Sequence, residues 1–247
     1  MYLASGDYGG QSLTYNAALV GASSKVVFQP APGASPTSSG ELSLRAAAGQ
    51  PIENVEFDNM TFADTYVKYV QHVVFRNINQ VFFYVRSSDD VSFIGGSDGG
   101  SHVGDNNVLG ASGAGEPEST NILIDGITFH DYNNDLAPGT HQECIFIQDA
   151  SNVTIRNSTF VNCRDFDIYG NVLFADQINN ITIDNNHFGK TYPAGYYAFR
   201  ANVGTYAFHN NTWDQGISLD PPVNATGCGN IATATGYTVP TAFLKVC

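Results

Sequence analysis

Apolar and polar residues alternate along this chain in short runs, and each run ends on the same kind of corner. The phrase reads Asn54-Val-Glu-Phe-Asp-Asn-Met-Thr-Phe62 and recurs at Asn121–Phe129, Asn152–Phe160, Asn180–Phe188 and Thr205–Trp213, with truncated copies beginning at His72 and Asp90. Its second and fourth positions are apolar (Val55/Phe57, Ile122/Ile124, Val153/Ile155, Ile181/Ile183, Tyr206/Phe208). Period two is the signature of a strand with one buried face. The sixth position is Asn59, Asn77, Asn157, Asn185 or Asn210, with Gly95 and Gly126 as exceptions. Asn and Gly tolerate a left-handed backbone, so this position predicts a tight corner. The ninth position is Phe62, Phe129, Phe160, Phe188 or Trp213, which predicts an aromatic stack directed inward.

A repeated strand–corner–strand unit cannot bury its apolar face alone, so copies stack. Starts lie 18, 18, 31, 31, 28 and 25 residues apart, so the coil is constant and the loops between copies vary. A leucine-rich repeat needs a Leu-dominated consensus at fixed period, and a β-sandwich does not repeat one phrase. The pattern therefore predicts an all-β, single-domain parallel β-helix. Residues 1–50 read as an N-terminal cap and first irregular coil, with strands at Val26–Phe28 and Leu42–Leu44. Residues 51–220 read as coils, and 221–247 as a C-terminal tail of the same domain. The corner Asn residues are expected to be buried and bonded from coil to coil, with the ninth-position rings stacked on one line.

Charge and composition narrow the partners. Net charge is −13, charged residues are 13% of the chain, and ten Lys plus Arg are spread thinly. The linear sequence shows no basic stripe, so nucleic acid is disfavoured as a partner. No apolar run approaches the roughly twenty residues that span a bilayer. The opening lacks the charged and apolar regions of a signal peptide, and reads as a mature form with a start Met. Four cysteines point to an oxidising compartment. Cys228 and Cys247 bracket the segment after the last coil and are expected to pair. Cys144 and Cys163 lie on consecutive coils, either paired or as small buried side chains. None has the spacing of a zinc or redox motif. Of the Asn-x-Ser/Thr sequons, only Asn224 is placed where a glycan fits.

The repetition and the corner Asn series resemble the right-handed, pectate-lyase-like parallel β-helix superfamily over nearly the whole chain. Ala4–Leu13 and Val26–Ala34 look like the entry of bacterial secreted β-helix repeat proteins. The stretch His141-Gln-Glu-Cys-Ile-Phe-Ile147, with Asn152–Cys163 and Asp165-Phe-Asp-Ile168, looks like the same group. The resemblance implies a right-handed solenoid, export or surface display, and a polysaccharide or oligosaccharide partner. Members cleave polysaccharides by hydrolysis or β-elimination, epimerise them, or only bind. The motifs diagnostic of the polygalacturonase and alginate-epimerase branches are absent, so fold does not select a reaction.

Residues that a scaffold does not need concentrate between His130 and Asp167. Carboxylates on neighbouring coils, outward on one sheet, fall within the roughly 5 to 9 Å that glycoside hydrolysis requires. Glu143 and Asp167 are the preferred catalytic pair, with Asp165 as second candidate and His141 to tune the acid. The alternative is a set of solvated loop charges. Tyr132, Tyr169, Tyr192 and Tyr196 are candidate sugar-stacking residues, joined by Arg164 and Arg200 as substrate contacts. A lyase would use Arg200 or Lys190 as base, and would neutralise a uronate carboxylate with calcium or another cation. No cofactor is otherwise expected, and no resident metal; His141 and Glu143 form only a weak His-x-Glu signal. Asp98 and Asp105 in the Gly-rich insert 95–119 are minor calcium candidates. Hydrolysis is slightly favoured because acids outnumber bases. The competing readings are a calcium-dependent lyase and a non-catalytic glycan-binding or structural β-helix.

Overall fold

The computed structural model describes residues 1–100, 106–132, 142–174, 177–189, 197–214, 218–232 and 241–247. The phrases pair in parallel and in register. Phe57 lies beside Phe75, Phe75 beside Phe93, and Phe93 beside Ile124. Ile124 then meets Ile155, Ile155 meets Ile183, and Ile183 meets Phe208. The chain is a right-handed parallel β-helix with three walls per coil, the hand that parallel crossovers favour. The first half of each phrase builds one wall, for example Ser119–Asp125 on Ala150–Arg156 on Ile178–Asp184. The second half builds the next, Thr128–His130 on Thr159–Val161 on His187–Phe188. The segments between phrases build the third, which includes the part of Thr61–Lys68 from Asp64 onward, Phe82–Arg86, Val108–Gly110, Glu143–Ile147, Phe166–Gly170 and Tyr197–Ala201.

The corners follow the sequence. Asn59, Asn77, Asn157, Asn185 and Asn210 have φ of 51–54°, and Gly95 and Gly126 have 67° and 72°. The first residue of the phrase is left-handed too, with φ of 50–57° at Asn54, His72, Asp90, Asn121, Asn152 and Asn180. The corner side chains are not buried, contrary to expectation. Asn157 and Asn185 are exposed, and Asn185 Nδ2 donates to Asn157 Oδ1 at 2.7 Å along the surface. The buried ladder lies one residue later, where the strand resumes after the corner. Asn186, Asn211 and Asn230 are 2%, 0% and 4% exposed. Asn211 Nδ2 donates to the Ile183 carbonyl at 2.8 Å, and its Oδ1 receives the Asn186 backbone N–H at 2.9 Å.

Inside, Phe129, Phe160, Phe188 and Trp213 stack at 4.9, 4.9 and 5.6 Å, nearly parallel. Phe62 is buried in the same column but is separated from Phe129 by Gln80 and Asp98, and meets Phe57 edge-on instead. A second stack runs through Phe28, Phe57, Phe75 and Phe93 at 5.1, 5.4 and 4.7 Å. Pairing starts as early as Tyr2–Leu3 on Val26–Pro30 and continues past Asp220, where Thr226–Cys228 and Ile231–Ala232 join the walls. Phe243 then covers Phe208, at 5.2 Å. Cys228 and Cys247 form the expected disulfide, and Cys144 and Cys163 form a second. The second ties the Glu143–Ile147 strand to the next coil just ahead of Phe166–Gly170.

Candidate functional site

The third wall carries most of the described candidate residues. Its inner face is Val67, Val85, Leu109 and Ile147, all in the core. Strand alternation therefore turns the preceding residue of each strand outward. In register from coil to coil these are Tyr66, Tyr84, Val108, Phe146, Tyr169 and Arg200, ending at Asp220. Tyr66 and Tyr84 lie 5.7 Å apart, and Phe146 and Tyr169 5.1 Å. Phe166 widens the patch, 4.7 Å from Tyr169 and 6.1 Å from Tyr197. Arg200 places its guanidinium 5.4 Å from the Tyr197 ring centre and its Nε 3.4 Å from Asp220.

The sequence-derived acids sit differently from expectation. Glu143 and Asp167 were expected to face solvent, but neither exposes any surface, and Asp165 is 7% exposed. Register pairs Glu143 with Phe166, so Asp167 is one residue out of phase with it. The coverage is physical: Glu143 belongs to a strand whose five residues are all buried. Asp165 Oδ2 accepts the Gln142 backbone N–H at 2.7 Å, a turn-fixing role. Both oxygens of Asp167 are without a hydrogen-bond partner among the described residues, and burial pushes its carboxyl well above the usual range. Burial thus favours its neutral form over the carboxylate.

Tyr132 is not a surface platform residue. It is fully buried, and its hydroxyl donates to Asp98 and to the Val81 carbonyl. Its position follows Phe129 and His130 around the corner at Asp131 (φ 61°), which returns the side chain to the interior. Asp98 is bound by Tyr132 and Asn107 inside the coil, and burial raises its carboxyl to about 8. That interior placement removes it as a calcium ligand at the surface. Asp105, His141, Lys190, Tyr192 and Tyr196 lie outside the described residues. Arg164 is half-buried, its backbone N–H on the Tyr132 carbonyl at 2.9 Å. Among the described residues no group of three His, Cys, Asp or Glu is placed to hold a metal ion.

Tyr169 and Arg200 are the predicted contacts that the structure brings together. Burial raises the Tyr169 phenol, the nearby Arg200 charge lowers it, and Glu143 raises it. Two groups of opposite character thus act on one half-exposed phenol that keeps its proton at neutral pH: a cation, Arg200, and a buried carboxyl, Glu143. Such a set can clamp an anionic group and donate a proton beside it.

Sequence reasoning missed Tyr66, Phe82, Tyr84 and Phe166 on this face. It also missed a cation column, Arg45–Lys68–Arg86, that stacking assembles from positions far apart in the chain. The signal was present as a second repeat, Tyr66-Val-Lys68 and Tyr84-Val-Arg86, 18 residues apart.

No protein-family model matches the chain, and no curated protein matches it. Among solved structures, ORF18 of Geobacillus virus E2 matches with a TM-score of 0.54 and 12% identity, over 95% of this chain. This chain spans about half of that one, 54%. The alginate lyase from Paenibacillus sp. str. FPU-7 matches with a TM-score of 0.55 and 16% identity, covering 94% of this chain and 98% of that one. At these identities the likeness is one of fold, the parallel β-helix.

Proposed function

We propose that this protein is an exported carbohydrate-active enzyme that binds an acidic polysaccharide along the outer face of the third wall and cleaves it by β-elimination. The observation that carries the reading is Tyr169, packed against Phe146 and Phe166 and flanked by Arg200 on the next coil. Arg200 neutralises a uronate carboxylate, which makes the neighbouring C–H acidic. Tyr169, protonated at neutral pH, gives its proton to the departing glycosidic oxygen. The base comes from Lys190, which the sequence names for that role. The full-length likeness to an alginate lyase supports the same class of substrate. Hydrolysis by Glu143 and Asp167 is weaker support for activity, because two buried carboxyls one residue out of phase do not present the open pair that hydrolysis uses. Two disulfides accord with an oxidising, extracellular setting, and no helix among the described residues is long and apolar enough to cross a membrane.

The test is a panel of alginate, polygalacturonate and neutral glucans, read for reducing ends and for the ultraviolet absorbance of unsaturated ends. Tyr169→Phe and Arg200→Ala are expected to lower kcat/KM by about 10² to 10⁴, with melting temperature preserved. Reducing ends without new absorbance, lost in Glu143→Gln, would establish hydrolysis instead. Binding without any cleavage would establish the non-catalytic reading.

A further inference from the structure

The face around Tyr169 accounts for three coils, yet the outward aromatic column continues toward the N-terminus beyond them. Val108 and Phe146 interrupt it, 0% and 3% exposed, so these two coils put no large exposed side chain on the face. Tyr66 and Tyr84 resume it, each half-exposed, with Phe82 5.2 Å from Tyr84. A cation lies over each of these rings: Arg45 is 3.8 Å from the Tyr66 ring centre and Arg86 5.7 Å from that of Tyr84. Lys68 stands between Arg45 and Arg86 in register, 4.9 Å from the Tyr69 ring centre.

Three cations on adjacent coils repel one another unless something answers them. Glu41 answers Arg45 at 2.8 Å and Glu116 answers Lys68 at 3.6 Å. Gln148 and the Ala111 carbonyl receive Arg86. The two carboxylates are partly exposed, and ion pairs of that kind are weak. A carboxylate arriving on a ligand replaces them at little cost. The rings remain as flat surfaces on which sugar faces stack.

We infer that Tyr66, Tyr84, Arg45 and Lys68 form a second set of subsites, distal to Tyr169 and Arg200, that selects long acidic glycan chains over short ones. The inference rests on the functional reading above and extends the same site along the helix axis. Six coils from Tyr66 to Arg200 at the spacing of about 4.8 Å between paired strands give a track on the order of 25 Å. An extended glycan of about five or six sugars has that length, so a trimer held at Tyr169 does not reach Tyr66.

The experiment measures calorimetric binding and cleavage of alginate trimer and decamer by the wild type, by Tyr66→Ala/Tyr84→Ala, and by Lys68→Gln. Circular dichroism melting controls for folding. The double variant is expected to lose about tenfold or more in affinity and in kcat/KM for the decamer, while the trimer values stay within about twofold. Lys68→Gln, which keeps its stem over Tyr69, is expected to weaken the decamer by a smaller factor that disappears at high salt. Equal losses for trimer and decamer, or no loss for either, would overturn the inference while leaving the Tyr169 reading standing. A wild type that binds neither oligomer, nor pectate nor glucan, would overturn both.

Discussion

Asp98 shows how a single residue departs from the repeat for a reason visible in its neighbours. Its place in the coil is that of Phe129, Phe160 and Phe188, yet it carries a carboxyl, 1% exposed. Tyr132, which the sequence suggested as a sugar platform, is there to satisfy it, and Asn107 donates from the other side at 2.5 Å. Alternation located the column correctly. It cannot reveal that two side chains distant in sequence complete a polar cluster inside it. The raised carboxyl, about 8 against an ordinary 3.8, sets the sign of a pH effect. Between those values the folded protein holds a proton that the unfolded chain has released, so this residue's contribution to stability falls as pH rises across the window. Asp98→Asn cannot ionise and keeps an accepting oxygen. The difference in melting temperature, variant minus wild type, should therefore increase from about pH 4 to about pH 8 and then level. A difference that is constant across this range would show that Asp98 is ionised in the fold.

At the scale of the coil, the corner was legible from the sequence and the ladder was not. Asn59, Asn157 and Asn210 are left-handed, as their type required, because few other side chains accept φ near 54°. Their side chains nevertheless lie outside, and the adjacent Asn186, Asn211 and Asn230 hold the backbone inside. A repeat phrase gives the spacing of positions. Which of two consecutive polar residues turns inward depends on the angle of the corner, which spacing does not encode. Asn211→Ala should therefore cost about 2 to 4 kcal/mol, since it strands the Ile183 carbonyl and the Asn186 N–H in the interior. Asn157→Gly should stay within about 0.5 kcal/mol, because it keeps the left-handed backbone and loses only two surface bonds, to Asp125 and from Asn185. Urea unfolding of both measures this, and equal losses would return the burial to the corner. The two disulfides differ in the same structural way. Cys144 and Cys163 are fully buried, whereas Cys228 is half-exposed and Cys247 is exposed. Mild reduction without denaturant followed by alkylation and peptide mass spectrometry should label Cys228 and Cys247 first. Labelling of Cys144 first would mean that the site strand opens before the tail.

For the whole molecule, the decisive quantity is where the charge lies. A net −13 repels an acidic polymer at long range, and that total argued from sequence against any basic stripe. Stacking nonetheless gathers Arg45, Lys68 and Arg86 on one wall, with Arg200 farther along it, which no linear count displays. The same stacking explains why the fold was readable and the candidate site was not. Apolar periodicity survives any choice of loop, but the Glu143–Ile147 strand is apolar at four successive positions, so its outward face had no signature. Long-range repulsion and local attraction respond to salt over different distances. The Debye length shortens from ~30 Å at 0.01 M to ~10 Å at 0.1 M, which screens the distant charge of the molecule before it screens contacts at the wall. The kcat/KM for an acidic polysaccharide should therefore rise across that interval and fall again near 1 M, where ~3 Å screening reaches Arg45, Lys68 and Arg200 themselves. A neutral glucan supplies the control, with no such maximum expected. A rate that only falls with salt would mean that the field of the wall outweighs the field of the whole protein even at long range, and that the polymer is steered to it from the start.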